Sequence, residues 1–261
     1  MLQQQPAQQP TPLTPEAYQV VATYQLGIPT AEYKPRFTTR KAISIAFLFV
    51  LVLGSIVLGI ISSQLIAFLI IAVLAFALIV MGLLDTFLSR DKRVYICPAG
   101  LLYQHHGKTD AIRWDQVEAF WQRVVRRSSY GIQAGTSHLY TIRRNDGTMF
   151  KFNDQLYNVE ALGNTIARET TRLLYPRFIA AYQAGQTVTF GPISLNQRGV
   201  SNGKELLPWQ QVKEITFKRG FLSIQKEGND RLRWKTVRAY LIPNVNVFMT
   251  LVDSIVNSGR R

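Results

Sequence analysis

The sequence predicts a membrane protein of two unlike parts: an α-helical transmembrane hairpin, then an α+β region of antiparallel sheets capped by C-terminal helices. Three observations predict it. From Ala42 to Leu84 the chain holds no charged side chain. After Arg90 it breaks into short alternating apolar segments separated by turn residues. The pattern Trp-x-Gln-Val then occurs twice, at Trp114–Val117 and Trp209–Val212, ninety-five residues apart.

The hairpin, residues 42–88, contains two apolar blocks, 42–61 and 65–84, with only Ser62-Ser63-Gln64 between them. Each block as a helix rises about 30 Å, the thickness of a bilayer's hydrocarbon core. Backbone groups in lipid must be satisfied internally, so two helices and a tight turn are expected. Ser55 and Gly59 form a small-xxx-small pair, and Ala72 and Ala75 offer small surfaces on the second helix. Asp85 falls at the end of the second span, beside Arg90 and Lys92, as an interfacial residue.

Charge sets the expected orientation. Lys34, Arg36, Arg40 and Lys41 precede the first span, Arg90, Lys92 and Arg93 follow the second, and the turn between carries none. The positive-inside rule places a two-span protein in the cell membrane with both termini cytoplasmic. The net charge of +14 is unevenly spread. Residues 1–88 hold four basic and three acidic groups, 89–185 fourteen and eight, and 186–261 twelve and five. The excess therefore lies in the region after the hairpin. A single cysteine, Cys97, excludes an intramolecular disulfide framework and fits a reducing compartment.

Residues 1–25 begin with a Gln/Pro-rich run and read as a disordered leader. Residues 26–41, with Pro29 and Pro35 against a continuous helix and Tyr33 and Phe37 among cations, read as a juxtamembrane collar at headgroup depth. Beyond the hairpin, Val94–Cys97, Leu101–Tyr103, Ala111–Trp114 and Ala119–Val125 read as strands. Leu139–Arg144 and Thr148–Phe152 flank Asn145-Asp146-Gly147, a hairpin signal. A helix follows, N-capped by Asn158, with Val159, Leu162, Ile166 and Leu173 on one stripe. Pro176 is expected to open a separate shorter helix that Gly185 closes.

The same order returns in residues 186–259. Ile193–Leu195, Leu206–Trp209, Val212–Phe217, Phe221–Gln225 and Arg231–Trp234 read as strands. A last helix carries Phe248, Leu251, Val252 and Ile255 at helical spacing. Gly100-Leu101 and Gly107-Lys108 precede the first Trp-x-Gln-Val, as Gly199-Val200 and Gly203-Lys204 precede the second. Trp114, Val117, Trp209 and Val212 are therefore expected to be equivalent core residues. Residues 89–185 and 186–259 form either two units or one composite sheet.

A strand, Gly-Leu or Gly-Val, a Gly-Lys hairpin, apolar-x-Trp-x-x-Val, more strands and one C-terminal helix resemble a bacterial pleckstrin-homology-like (PH-like, GRAM-type) domain. With the hairpin, the chain from Leu26 to Ile255 is similar to a family of uncharacterised prokaryotic membrane proteins of unknown function. The resemblance implies tandem PH-like units and carries no catalytic residues with it.

Residues for catalysis or metal binding do not assemble in the sequence. His105 and His106 are adjacent, His138 stands alone, and no carboxylate or cysteine lies at ligand spacing. Neither a phosphate-cradling glycine loop nor a nucleophile elbow occurs. The expectation is a non-enzymatic interaction protein without cofactor or metal, and without nucleic-acid partners, since no recognition motif accompanies the basic excess. Its partners would be the membrane itself, anionic phospholipid head groups, and a protein partner or a second copy. Arg231, Arg233 and Lys235 alternate with Leu232 and Trp234, so a cationic strand face is expected, extended by Lys218, Arg219 and Arg238. An accessory subunit of a transporter or envelope machine, acting through the hairpin, is the alternative; the nearly apolar spans argue against it.

Overall fold

The computed structural model describes residues 13–36, 39–62, 65–88, 92–105, 107–129, 132–228 and 233–259. Residues 1–12 of the leader, Phe37, Ser63 and Gln64 of the turn, Arg90, His106, Arg231 and Leu232 lie outside them. Among the described residues the chain is an α+β protein of antiparallel sheets and five α-helices, two of them long and apolar enough to cross a membrane.

The expected leader is helical at its end. Thr14 caps α1 (Pro15–Thr23), its hydroxyl accepting from the Ala17 N–H, with proline at the start where a missing N–H costs nothing. Ala17 is fully buried and packs with Leu13, Leu26, Tyr95, Cys97, Leu102 and Ala111. Three apolar residues a turn apart supplied the stripe, which the Gln/Pro-rich run before it obscures.

The collar is also corrected. Ala31–Tyr33 is β1, antiparallel to β2 (Arg93–Cys97), with Glu32 opposite Tyr95. The helices α2 (Thr39–Ile61) and α3 (Leu65–Leu88) are thus an insertion between two paired strands. They pack on each other through Ser55, Gly59, Ala72, Ala75 and Ile79, while the larger aliphatic side chains face outward. The small residues marked in the sequence form this contact, as close helix approach requires.

β1 and β2 continue into β3 (Gly100–His105) and β4 (Lys108–Arg113) as a four-stranded sheet in chain order. A three-stranded sheet follows: β5 (Val117–Ser129), β6 (Ile132–Arg144) and β7 (Met149–Asn153). The helix α4 (Val159–Gln183) closes this first unit, burying Val159, Leu162, Ile166 and Ala167 in its core. Gly163 admits the Tyr140 ring beneath α4, where a Cβ would stand 2.2 Å from it.

The second unit repeats the division. β8 (Val188–Phe190), β9 (Ile193–Asn196), β10 (Gly199–Ser201) and β11 (Leu206–Pro208) form four strands. β12 (Val212–Lys218), β13 (Phe221–Lys226) and β14 (Arg233–Arg238) form three, closed by α5 (Val245–Gly259). Each sheet among the described residues draws its strands from one unit only.

Pro176 does not divide α4. The helix runs through it because both halves are held by packing: Leu174, Tyr175, Phe178, Ile179 and Tyr182 enter the second core. That burial offsets the lost hydrogen bond and ring clash, which cost about 3 kcal/mol in an unsupported helix. One helix thereby belongs to two cores.

Candidate functional site

Trp114 and Trp209 both begin a short 3-10 turn, Trp114–Gln116 and Trp209–Gln211. The indole Nε1 of Trp114 donates to the Cys97 carbonyl at 3.3 Å, and that of Trp209 to the Asn196 carbonyl at 2.9 Å. Their backbone N–H groups donate to Ala99 and Arg198, each the residue before a strand-opening glycine. At Gly100 and Gly199 a Cβ would lie 2.2 and 2.0 Å from the carbonyl oxygens of Ile112 and Leu207, so neither position accommodates a side chain. The Gln116 and Gln211 carbonyls accept from Asn145 and Glu227. A register shift follows at Val117/Ala119 and again at Val212/Glu214. Burial differs: Trp114 and Val117 are buried, whereas Trp209 and Val212 are half-buried.

The cations singled out in the second unit fall into two places. Lys218 and Arg219 lie at the β12–β13 turn, where Arg219 and Gly220 both have positive φ, as a two-residue hairpin loop of this hand requires. Exposed Phe217 and Phe221 flank them. Arg238 pairs with Phe221, and its Nη1 donates to the Tyr240 hydroxyl at 2.9 Å. The Arg123 guanidinium of β5 stands over the same Tyr240 ring at 5.2 Å. Tyr240 therefore gathers one arginine from each unit, a contact between residues too far apart in sequence to be read there.

Arg233 and Lys235 do not form the expected row. The β13–β14 register shifts between Ile224 and Gln225, so that Arg233 opposes Gln225 and Lys235 opposes Ile224, with Trp234 between. Cross-strand partners share a face, and Ile224 is fully buried, so half-buried Lys235 sits on the core side while Arg233 is exposed. Strict alternation assumed no bulge, and a bulge inverts it. Arg231 lies outside the described residues.

At the roots of α2 and α3 the chain is tied to the loop after β7. Pro35 bridges Leu156, the Arg36 N–H donates to Gln155 at 2.6 Å, and Tyr157 donates to Lys34 at 2.8 Å. Lys92 Nζ donates to Gln155 Oε1 at 2.6 Å. Glu32 is buried between Lys34, at 3.6 Å, and Arg93, at 3.4 Å. Nearby, His138 is not solitary. Its Nδ1 lies 2.9 Å from Asp154 Oδ1, and its backbone N–H donates to Oδ2 at 2.8 Å. The Asn-Asp-Gly turn sets the register that brings them together, with Leu139 opposite Asn153. Burial pushes the Cys97 thiol up to about 11. Among the described residues, no group of three or more His, Cys, Asp or Glu side chains is placed to hold a metal ion.

These features define an α+β protein of two sheet-and-helix units, with an apolar helical pair inserted between two paired strands of the first. The chain belongs to a family of unknown function, DUF6585, which it matches over residues 2–261. No curated protein matches it.

Proposed function

We propose that the chain is a membrane-anchored, non-enzymatic interaction protein that holds two PH-like units at the cytoplasmic face. The observation that carries this reading is the β1–β2 pairing across the inserted helices. Because the strands before and after α2 and α3 lie side by side, both ends of the helical pair leave the same sheet, and one side of the bilayer receives everything else. The positive-inside bias makes that side the cytoplasm. A four-stranded sheet, a three-stranded sheet and one closing helix in each unit support the PH-like assignment. So do the matched tryptophan, glycine and glutamine contacts of the two units.

The ligand of the second unit is anionic phospholipid, met by Lys218, Arg219 and Arg238 beside exposed Phe217 and Phe221. Cations flanked by aromatic rings suit a headgroup layer, at about 1 kcal/mol per basic residue near the surface. The test is full-length protein in mild detergent, with mass spectrometry of the lipids it retains. Phosphatidylglycerol should be enriched over its share of the extract, and a Lys218→Ser, Arg219→Ser, Arg238→Ser variant should lose that enrichment. Equal retention by both proteins would overturn the lipid assignment. A reporter at residue 261 that signals from outside the cell would overturn the orientation.

A further inference from the structure

β5 and β12 are the matching edge strands of the two three-stranded sheets. Each follows a Trp-x-Gln turn, and each has a register shift at one extra residue, Glu118 or Lys213. Counting on from there matches Phe120 with Ile215 and Gln122 with Phe217. In the first unit, Asn244 bonds both main-chain groups of Phe120, and Asn246 Oδ1 accepts from Gln122 Nε2 at 3.3 Å. Phe120 is buried beside that contact. Along β12, no such bond reaches the outer side of Ile215 or Phe217 among the described residues. Ile215 is half-buried, and Phe217 is 43% exposed.

Register fixes which groups of β12 face outward. The tight turn at Arg219-Gly220 makes Lys218 and Phe221 a hydrogen-bonded pair, and such pairs alternate along an antiparallel ladder. Thr216 therefore bonds Ser223, while the N–H and C=O of Ile215 and Phe217 point away from β13. Phe120 behaves in the same way in β5, where those groups meet Asn244. The side chains divide with them. Ile215 and Phe217 oppose Ile224 and Leu222, both fully buried, so they lie on the core side. Glu214, Thr216 and Lys218 lie on the other side. β12 thus ends its sheet with open main-chain groups and an aromatic ring that its own unit only partly covers.

An edge of this kind accepts another strand, and the sequence of β12 is its own complement. Two copies laid antiparallel about Thr216 set Ile215 of each opposite Phe217 of the other. The same register sets Glu214 of each opposite Lys218 of the other. The Ile215–Phe217 pairs are the hydrogen-bonded ones, giving about four main-chain bonds. They also bring the exposed ring of each copy against an aliphatic side chain of the other. On the opposite side each Glu214–Lys218 pair joins opposite charges, and no like charges meet within 214–218. Centring on Ile215 instead would set Phe217 against Lys213 and Glu214 against Thr216, so composition selects the first register.

We propose that β12 pairs with β12 of a second copy across a two-fold axis through Thr216, joining their three-stranded sheets into one. A two-fold contact of this type uses the same patch on both copies and closes on itself. The pairing goes beyond the lipid assignment and does not depend on it. It covers Phe217 and engages Lys218, and leaves Arg219, Phe221 and Arg238 of both copies open. A headgroup surface would then meet two such sets at once.

The test is disulfide trapping on the full-length chain in mild detergent. Cys97 is buried, and burial keeps its thiol protonated, so introduced cysteines report alone. Across the axis Thr216 meets its own copy in a non-hydrogen-bonded pair, with Cα atoms about 4.5 Å apart and within disulfide reach. Thr216→Cys should therefore cross-link on mild oxidation, and Thr236→Cys, exposed on the far edge strand β14, should not. Glu214→Cys and Lys218→Cys, both exposed, should cross-link only when the two variants are mixed, because like positions lie about 13 Å apart. In the Thr216→Cys chain, Glu214→Lys should abolish the cross-link by setting lysines opposite one another, and adding Lys218→Glu should restore it. Cross-linking of Thr236→Cys as fast as Thr216→Cys would mean random collision and overturn the pairing. Absence of a cross-link from both the Thr216→Cys chain and the mixture would overturn it too, since the exposed pair leaves the fold intact. Loss in the Glu214→Lys chain without recovery on charge exchange would overturn the register, and the proposal with it.

Discussion

Asn244 and Phe120 are joined by a reciprocal pair of hydrogen bonds across the two units. The Phe120 N–H donates to Asn244 Oδ1 at 2.9 Å, and the Asn244 N–H donates to the Phe120 carbonyl at 2.8 Å. Asn244 Nδ2 adds a third bond, to the Glu118 carbonyl at 3.1 Å. The register shift in β5 frees that carbonyl from β6. Asn244 is buried with φ of 52°, a left-handed conformation that asparagine tolerates.

Replacing Asn244 separates its two roles. Asn244→Gly keeps the backbone conformation and removes the side-chain bonds, leaving the Phe120 N–H without an acceptor. The expected loss is about 1–3 kcal/mol. Asn244→Ala should lose about 1–2 kcal/mol more, because alanine resists the left-handed region. Thermal melting of the full-length protein in detergent measures both. Equal melting of the glycine variant and the parent would show that the units are held without this tie.

The two tryptophans should differ despite their matched bonds. Trp114→Ala removes a fully enclosed ring and should cost about 3–5 kcal/mol. Trp209→Ala removes a half-buried one and should cost less. The phenylalanine variants keep an aromatic ring but remove the indole N–H and part of the ring, with the cavity falling mainly at buried Trp114. Each loses about 1 kcal/mol from the donor that the Cys97 or Asn196 carbonyl loses, and Trp114→Phe loses more because its ring is buried. Equal losses for the two alanine variants would mean that Trp209 is as deeply seated as Trp114.

Alkaline pH should weaken the fold from about pH 9 upward. Burial, with Glu160 and Asp154 adding to it, pushes the Tyr140 hydroxyl up to about 12 from an ordinary 10.0. Burial likewise lifts Cys97 to about 11 from 9.0. A raised value means that the folded state holds its proton longer than the unfolded chain does. The Tyr140 contribution is therefore complete below pH 10 and lost as pH climbs through about 12; for Cys97 the window is 9 to about 11. Melting temperatures of the parent and Tyr140→Phe across pH 8–12 report this. The variant should have the shallower decline above pH 10, and parallel curves would refute the assignment.

The sequence by itself determined the elements whose signal is local. The charge-free stretch defines two long apolar helices, because only Ser62-Ser63-Gln64 interrupts its apolar run. Trp-x-Gln-Val and its glycines mark the recurrent corner, because a tryptophan bond and a close backbone approach tolerate few residues. Asn145-Asp146-Gly147 marks its hairpin, because the turn holds Gly147 at positive φ, which glycine adopts without strain.

Tertiary structure decided whatever depends on a partner distant in sequence. Ala31–Tyr33 is a strand only because Val94–Ile96, on the far side of two long helices, offers it an edge. The helix across Pro176 is continuous only because a second core holds its far half. The bulge that turns Lys235 inward, and the Tyr240 ring that gathers Arg123 and Arg238, arise from sheet register and from packing between units. Three residues of strand or one proline carry too little local free energy to choose a conformation, so the surrounding contacts choose it for them.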